Sequence, residues 1–258
     1  MNNNRFDLTG QVAFVCGGSS GIGHQFAKAL ASQGANIALV ARRVDRIEEN
    51  AKEIEELYGV KVYTHYMDLQ DSASITQCVK DVVDHFGKID ILANAAGIAG
   101  GGDPATVTDD FWLNVINTDL NGQFFTCREV VRQSMKPNGY GRIIMVSSIH
   151  GVCGRKGVDT AAYAAAKGGI VNLTRSLANS WARDGITVNC ICPGYYPTEL
   201  TAAYIDAPFF KQQHIDYCPM ERHGEIDEMD GLCIYFASPS CSYTTGQIIC
   251  VDGGWSAV

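Results

Sequence analysis

Short apolar runs alternate with longer amphipathic segments along most of the chain. The apolar runs predict seven strands, over Gln11–Cys16, Asn36–Ala41, Lys61–Met67, Ile89–Asn94, Arg142–Ser147, Thr187–Cys192 and Gln247–Val251. The amphipathic segments predict helices over Ile22–Ser32, Arg46–Tyr58, Ser72–Phe86, Leu113–Met135, Ala161–Ala182 and Ile226–Ala237. Continuously apolar strands that alternate with helices are typical of a parallel sheet covered on both faces. We therefore predict one doubly wound α/β domain spanning residues 1–258.

One stretch, from about residue 195 to residue 223, interrupts this alternation. It is rich in aromatic residues and prolines, namely Tyr195, Tyr196, Tyr204, Phe209, Phe210, Tyr217, Pro197, Pro208 and Pro219. Long irregular insertions in compact domains are often lids over a binding site, and this one follows the end of a strand. We expect a substrate lid here. The alternative is a surface excursion packed by its own aromatic side chains.

Charge and hydropathy exclude several classes of function. The formal net charge is −8, which disfavours non-specific binding to nucleic acid. No apolar run is long enough for a transmembrane helix, and the first residues lack the apolar core of a signal peptide. We expect a cytoplasmic protein that binds neither nucleic acid nor membrane.

The ten cysteines are scattered along the chain. Most lie inside apolar runs, namely Cys16, Cys127, Cys190, Cys192, Cys233 and Cys250. We interpret them as buried thiols in a reducing compartment. The pair Cys190 and Cys192 does not have zinc-ligand spacing and has no second pair to accompany it, so we predict no metal site.

A glycine-rich turn joins the first predicted strand to the first helix. Gly17, Gly21 and Gly23 stand in the spacing Gly-x-x-x-Gly-x-Gly. Glycines allow a tight turn and close approach of the backbone to a pyrophosphate, and the helix N-terminus supplies N–H groups. The turn therefore predicts a dinucleotide site; the alternative is an ordinary strand–helix turn.

The end of the second predicted strand indicates which dinucleotide. Enzymes that use NAD usually place an acid there, but this chain has Arg42 and Arg43. Guanidinium groups suit a 2′-phosphate, so we expect NADP(H) to be favoured over NAD(H). A solvated pair of arginines is the alternative. Asp68 could bond the adenine amino group, or it could cap the next helix.

Tyr163 and Lys167 lie four residues apart on a predicted helix and therefore project from one face. A fixed positive charge favours the phenolate, which makes the pair a plausible proton donor and acceptor. Ser147 and Ser148 lie just upstream, at the end of a predicted strand.

In this order the motifs resemble those of the short-chain dehydrogenase/reductase family. The resemblance covers nearly the whole chain. It implies a Rossmann fold, a nicotinamide cofactor, a small-molecule substrate and usually a homotetramer. By the same resemblance Tyr163 is the acid/base, Lys167 assists it and holds the nicotinamide ribose, and Ser148 bonds the substrate oxygen. The implied cofactor-binding residues are Gly17, Ser19, Ser20, Gly21, Ile22, Gly23, Arg42, Arg43, Asp68, Leu69, Asn94, Ala95, Gly97, Tyr163, Lys167, Pro193, Gly194 and Thr198.

Three residues depart from the family pattern. Cys16 stands where the family usually has threonine, and Ala95 stands where it has a second asparagine. Asp119 aligns with the fourth catalytic residue, which is normally asparagine and helps to hold a water in the proton relay. We keep Asp119 in the catalytic set and expect an altered relay or pH optimum.

Three stretches, Gly194–Thr201, Pro219–Arg222 and Val251–Gly254, bear on the substrate. The chain looks similar to gluconate 5-dehydrogenases and related sugar or polyol reductases, with hydroxysteroid dehydrogenase as the alternative. We place Ser148, His150, Arg155 and Tyr195 beside the substrate, where Arg155 with Lys156 could receive a carboxylate or could be a solvated basic pair. From another class of function, the remaining alternative is a catalytically silent nucleotide-binding scaffold.

Overall fold

Seven parallel strands form a single sheet in the order β3-β2-β1-β4-β5-β6-β7. The computed structural model describes residues 4–154 and 159–257. The strands are β1 (Val12–Cys16), β2 (Asn36–Ala41), β3 (Val62–Tyr66), β4 (Ile91–Asn94), β5 (Gly141–Val146), β6 (Ile186–Pro193) and β7 (Ile248–Val251). The strand order reverses between β1 and β4, which are neighbours. In open α/β sheets a crevice forms beyond the carboxyl ends of the strands at such a point, and ligands bind in it.

The helices lie on both faces of the sheet. They are α1 (Gly21–Ser32), α2 (Val44–Tyr58), α3 (Ser72–Phe86), α4 (Asp109–Ile116), α5 (Gly122–Val130), α6 (Lys136–Asn138), α7 (Ala161–Trp181), α8 (Pro208–Tyr217) and α9 (Asp230–Ala237). The doubly wound fold predicted from the sequence is confirmed, and all seven predicted strands are present.

Two hydrophobic cores lie on opposite faces of the sheet because successive side chains of a strand point to opposite faces. Phe14 belongs to the core beneath α3, α5 and α7, whereas its neighbour Val15 belongs to the core beneath α1, α2 and α9. Phe26 of α1 and Val79 of α3 are fully buried on their respective faces. The sheet is thus covered on both faces, and the ends of its strands are where a binding crevice is expected.

The segment predicted as one helix over Leu113–Met135 is longer and interrupted. Helical structure begins at Asp109 and continues through α4, α5 and α6, with π-helical turns at Asn117–Asn121 and Val131–Met135 between them. A π turn inserts one residue into a helix and rotates the side chains around it. The first of these turns contains Asp119, which is fully buried.

The predicted lid contains a helix, α8, that the sequence did not indicate. The segment is fixed to the body by a small aromatic cluster. Tyr195 packs edge-on against Phe210 at 4.8 Å and against Trp255 at 5.2 Å between ring centroids. These contacts connect the lid to the last turn of the chain as well as to its own aromatic residues.

All ten cysteines are free thiols, and all but Cys153 and Cys250 are buried. Cys250, expected to be buried, is only partly so because β7 is an edge strand. Cys190 and Cys192 face the same side of β6, with sulfur atoms 3.9 Å apart. Over residues 4–154 and 159–257, no helix is both long enough and apolar enough to cross a membrane.

Candidate active site

A groove of about 270 Å³ lies at the carboxyl ends of β1 and β2. Its floor is the glycine turn, in which glycine is required by space. A Cβ atom on Gly23 would lie 2.3 Å from the Gly17 carbonyl oxygen, and one on Gly17 would lie 2.8 Å from the Ala96 backbone. Gly17 also has φ +85°, which disfavours other residues. The turn therefore brings the start of α1 directly against the strand end.

The walls of the groove include most of the residues predicted for the cofactor. They are Gly17, Ser19, Ser20, Gly21, Ile22, Gly23, Arg42, Arg43, Asp68, Leu69, Ala95, Gly97 and Thr198. Asn94 lies behind the wall instead, where its fully buried amide donates a hydrogen bond to the Gln123 carbonyl oxygen at 3.0 Å. Pro193 and Gly194 line the neighbouring pocket rather than the groove.

The two arginines at the end of β2 differ in their contacts. Arg43 Nη2 donates to the Ser19 and Ser20 hydroxyl groups at 3.0 and 2.8 Å and forms an ion pair with Glu199 at 2.9 Å. None of the described residues bonds the guanidinium of Arg42 or is paired with it. Glu199 is a groove residue that sequence reasoning missed, since nothing along the chain indicates that it meets Arg43.

Asp68 lies in the groove wall but does not cap α3. Its carboxylate accepts a hydrogen bond from the Gln70 N–H at 3.0 Å. The cap of α3 is Asp71, whose side chain accepts from the Ala73 N–H at 2.9 Å. The capping alternative for Asp68 is therefore wrong, and Asp68 is one of the residues that line the groove.

A second pocket, of about 460 Å³, adjoins the groove. Ile22, Thr198 and Leu200 line both spaces, so the two are continuous. The pocket brings together four of the predicted catalytic and substrate residues, which are Ser148, His150, Tyr163 and Tyr195. Lys167 and Asp119, the other two predicted catalytic residues, do not line it, and Arg155 lies outside the described residues.

Lys167 lies beneath the pocket floor, one turn of α7 from Tyr163. Its Nζ is 5.5 Å from the centroid of the Tyr163 ring and donates to the Val146 carbonyl oxygen at 3.3 Å. The Ser147 hydroxyl donates to the Lys167 carbonyl oxygen at 2.8 Å, which ties α7 to the end of β5. Ser148 begins the next turn, where its hydroxyl oxygen accepts from the His150 N–H at 3.2 Å.

Asp119 forms a buried ion pair with Lys167. The distance from Asp119 Oδ2 to Lys167 Nζ is 3.4 Å, and the two side chains are 0% and 5% exposed. Asp119 Oδ1 accepts a hydrogen bond from the Ile98 N–H at 2.8 Å. Burial raises the pKa of the Asp119 carboxyl, against the opposing attraction of Lys167. Burial pushes the pKa of Lys167 down, but Asp119 and Tyr163 together leave it above its usual value.

His150 links the pocket to the lid. Its Nε2 lies 3.1 Å from the Tyr195 hydroxyl, and its Nδ1 lies 3.4 Å from the Thr160 hydroxyl. The imidazole also meets the Tyr163 ring edge-on, with centroids 5.9 Å apart. It is thus held on three sides next to the phenol of Tyr163.

The fold thus places a dinucleotide groove beside a pocket lined by a serine and a tyrosine, with a buried lysine next to the tyrosine ring. The family model described as "Enoyl-(Acyl carrier protein) reductase" matches residues 17–256. The chain belongs to the short-chain dehydrogenase/reductase family. It is an oxidoreductase of the class that interconverts secondary alcohols and ketones with a nicotinamide cofactor.

Relatives from curated proteins and solved structures cover nearly the full length of the chain. An NADP-dependent mannitol dehydrogenase from Alternaria alternata is 36% identical and matches 97% of this chain and 94% of its own length. A gluconate 5-dehydrogenase from Gluconobacter oxydans is 33% identical over 96% of each chain. A gluconate 5-dehydrogenase from Burkholderia cenocepacia, solved with NADP and tartrate, is 32% identical with a TM-score of 0.94, over 99% of this chain and 98% of its own.

Proposed function

We propose that the protein interconverts a secondary alcohol and a ketone of a sugar acid or polyol, such as gluconate and 5-ketogluconate. The observation that carries this proposal is the pocket in which Ser148 and Tyr163 meet, above the Lys167–Asp119 pair and next to the dinucleotide groove. The substrate class is supported by the mannitol and gluconate dehydrogenases among the relatives.

NADP(H) is the cofactor. The groove fits a dinucleotide because its glycine turn leaves no room for side chains over the strand end. Its rim carries Arg42 and Arg43 at the end of β2, where a cofactor without the 2′-phosphate would call for an acid. Relatives named as NADP-dependent, and one solved with NADP, agree with this choice. When bound, the nicotinamide supplies or accepts the hydride.

Side chains of the pocket transfer the proton and stabilise the phenolate that its loss leaves. In the reductive direction the Tyr163 hydroxyl donates a proton to the substrate oxygen, which the Ser148 hydroxyl holds by a hydrogen bond. The Lys167 ammonium stabilises the phenolate that results, since opposite charges at close range favour the ionised form. Asp119 holds that ammonium in place from the opposite side.

Aromatic side chains of the lid form the far wall of the pocket. Tyr204, Phe209 and Phe210 line it together with Tyr195. We propose that residues 195–223 close over the substrate as a lid, with residues 1–258 acting as one domain. Assembly as a homotetramer and a location in the cytoplasm stay predictions; light scattering on the purified protein tests the first of them.

The same aromatic wall favours a second candidate, a hydroxysteroid dehydrogenase, because ring faces of this size pack well against a flat apolar substrate. The two candidates are separated by initial rates of NADPH oxidation with 5-ketogluconate, uncharged keto-sugars and oxosteroids, with Tyr163→Phe as the blank. We expect the highest kcat/KM for a keto-sugar or its acid. A higher value for an oxosteroid would reverse the choice, and binding of NADPH without turnover of any ketone would indicate a nucleotide-binding scaffold.

A further inference from the structure

Glu199 is a lid residue that the proposed proton chemistry does not use. It follows Thr198 at the start of the lid and faces the glycine turn across the rim of the groove. Its Oε2 accepts hydrogen bonds from the Ser20 hydroxyl and from Arg43 Nη2, each at 2.9 Å. Its Oε1 lies 3.7 Å from Arg46 Nη2. One carboxylate thus bridges the lid, the start of α1 and the start of α2.

The Glu199 carboxylate occupies a position suited to an anion. Ser20 is the N-cap residue of α1, yet its hydroxyl does not cap the helix and instead donates to Glu199. The N-terminus of a helix attracts negative charge, and Arg43 adds a guanidinium to it. Arg43 and then Ser20 lower the pKa of Glu199, so the carboxylate is ionised at neutral pH.

The backbone around Glu199 is held independently of this bridge. The Thr198 N–H donates to the Thr201 hydroxyl oxygen at 2.9 Å, and the Thr201 N–H donates to the Thr198 carbonyl oxygen at 3.0 Å. The side chain of Glu199 is itself about half exposed. Its carboxylate can therefore leave Arg43 by rotating into solvent, without rearrangement of the turn that holds Thr198.

We propose that Glu199 is a specificity-determining residue for the cofactor: its carboxylate occupies Arg43 in the free enzyme, and the 2′-phosphate of NADP(H) must displace it. This inference rests on the proposed function, in that Arg43 receives the 2′-phosphate. A cofactor without that phosphate has no need of Arg43 and leaves the bridge in place. Glu199 thus weakens the binding of NADP(H) but not of NAD(H). It thereby reduces the preference for NADP(H) that the two arginines create.

The effect is expected to be modest because Arg43 and Glu199 are both about half exposed. Exposed ion pairs are weak, so removing the competing carboxylate should tighten NADPH by about two- to five-fold. The experiment measures dissociation constants of NADPH and NADH without substrate, by the change in nucleotide fluorescence, for wild type, Glu199→Gln, Arg43→Ala and the double variant. Glu48→Gln is the matched control, since Glu48 is an exposed acid on α2 for which the described residues offer no ion-pair partner.

We expect Glu199→Gln to lower the dissociation constant of NADPH with little change in that of NADH, and Glu48→Gln to change neither. In the Arg43→Ala background, Glu199→Gln should not change the ratio of the two dissociation constants. Unchanged or weaker NADPH binding in Glu199→Gln, or an equal gain for both cofactors, would overturn the inference. If Arg43→Ala weakens NADPH binding while Glu199→Gln leaves it unchanged, the proposed competition between Glu199 and the 2′-phosphate is wrong, but the role of Arg43 stands. If Arg43→Ala leaves NADPH unaffected, the proposed role of Arg43 in cofactor binding fails with it.

Discussion

Replacing Asp119 by asparagine should shift the kcat–pH profile of alcohol oxidation to lower pH. In the native protein the carboxylate balances the Lys167 ammonium and opposes formation of the Tyr163 phenolate. Asparagine has almost the same shape and can still accept the hydrogen bond from the Ile98 N–H. The change therefore removes a charge from the proposed relay and leaves the packing intact.

The size of the shift follows from two distances. Lys167 Nζ lies 5.5 Å from the Tyr163 ring centroid and 3.4 Å from Asp119 Oδ2, so the carboxylate is within about 9 Å of the ring. At an effective dielectric constant of about 20, a unit charge at that distance contributes about 2 kcal/mol, equivalent to about 1.4 pH units. Because Tyr163 faces an open pocket, solvent screening reduces this figure. We expect a shift of about 0.5 to 1 pH units.

The assay is kcat for alcohol oxidation at saturating cofactor from pH 6 to pH 11, for wild type and Asp119→Asn. Asp110→Asn serves as the control because Asp110 is an exposed acid in the first turn of α4, the same helical stretch. An unchanged profile would mean that the Asp119 charge does not reach the phenol. A shift to higher pH would mean that Lys167, whose pKa Asp119 raises, loses its proton first and no longer supports the phenolate. Either result refutes the proposed role of Asp119.

Four further predictions concern single residues. Tyr163→Phe should lower kcat by about 10²–10⁴-fold with cofactor affinity nearly intact, as measured by steady-state kinetics and nucleotide titration. Arg42→Ala should weaken NADPH by about ten-fold or more and spare NADH, because it loses a charge-assisted contact; a wild-type preference for NADH would contradict this. Burial raises the pKa of Asp230 to about 6, so its ionisation disfavours the folded state as pH rises from about 4 through 6. Asp230→Asn should therefore raise the free energy of unfolding by about 1 kcal/mol at pH 8, after allowance for screening, and not at pH 4. Gly97→Ala should cost about 1–3 kcal/mol in denaturant unfolding through overpacking, whereas Gly231→Ala, with open space around it, should not.

The fold was predictable because its signal is local and repeated. A strand buried on both faces must be continuously apolar, and a helix packed on a sheet must show an apolar stripe, so both patterns stand in the sequence. The sequence did not predict the helix α8 because Pro208 and the aromatic residues around it leave no regular apolar stripe. Its Phe210 packs against Tyr195, and its His214 packs against Trp255 near the other end of the chain.

The motifs of the candidate site could also be predicted from the sequence, but the tertiary contacts between them could not. Tyr163 and Lys167 are joined by helical spacing, which the sequence displays. Arg43 and Glu199 are 156 residues apart, and no periodicity relates them. Likewise, nothing in the sequence marks the π turn that holds Asp119, because a single inserted residue leaves the apolar pattern of the helix almost unchanged.

The sequence motif marks Gly97, but only the structure explains why glycine is required at this position. The sequence gives it as the glycine of Asn94-Ala-Ala-Gly97, where a special backbone angle would be the usual explanation. Its φ is not positive, so conformation is not the reason. A Cβ atom at this position would lie 2.9 Å from Asp119 Oδ2 and 3.1 Å from Lys167 Nζ. The backbone after β4 therefore packs directly on the ion pair, and a side chain there would push the carboxylate and the ammonium aside. Glycine at 97, the π turn at 119 and the lysine at 167 are thus parts of one arrangement that keeps a buried positive charge next to the Tyr163 phenol.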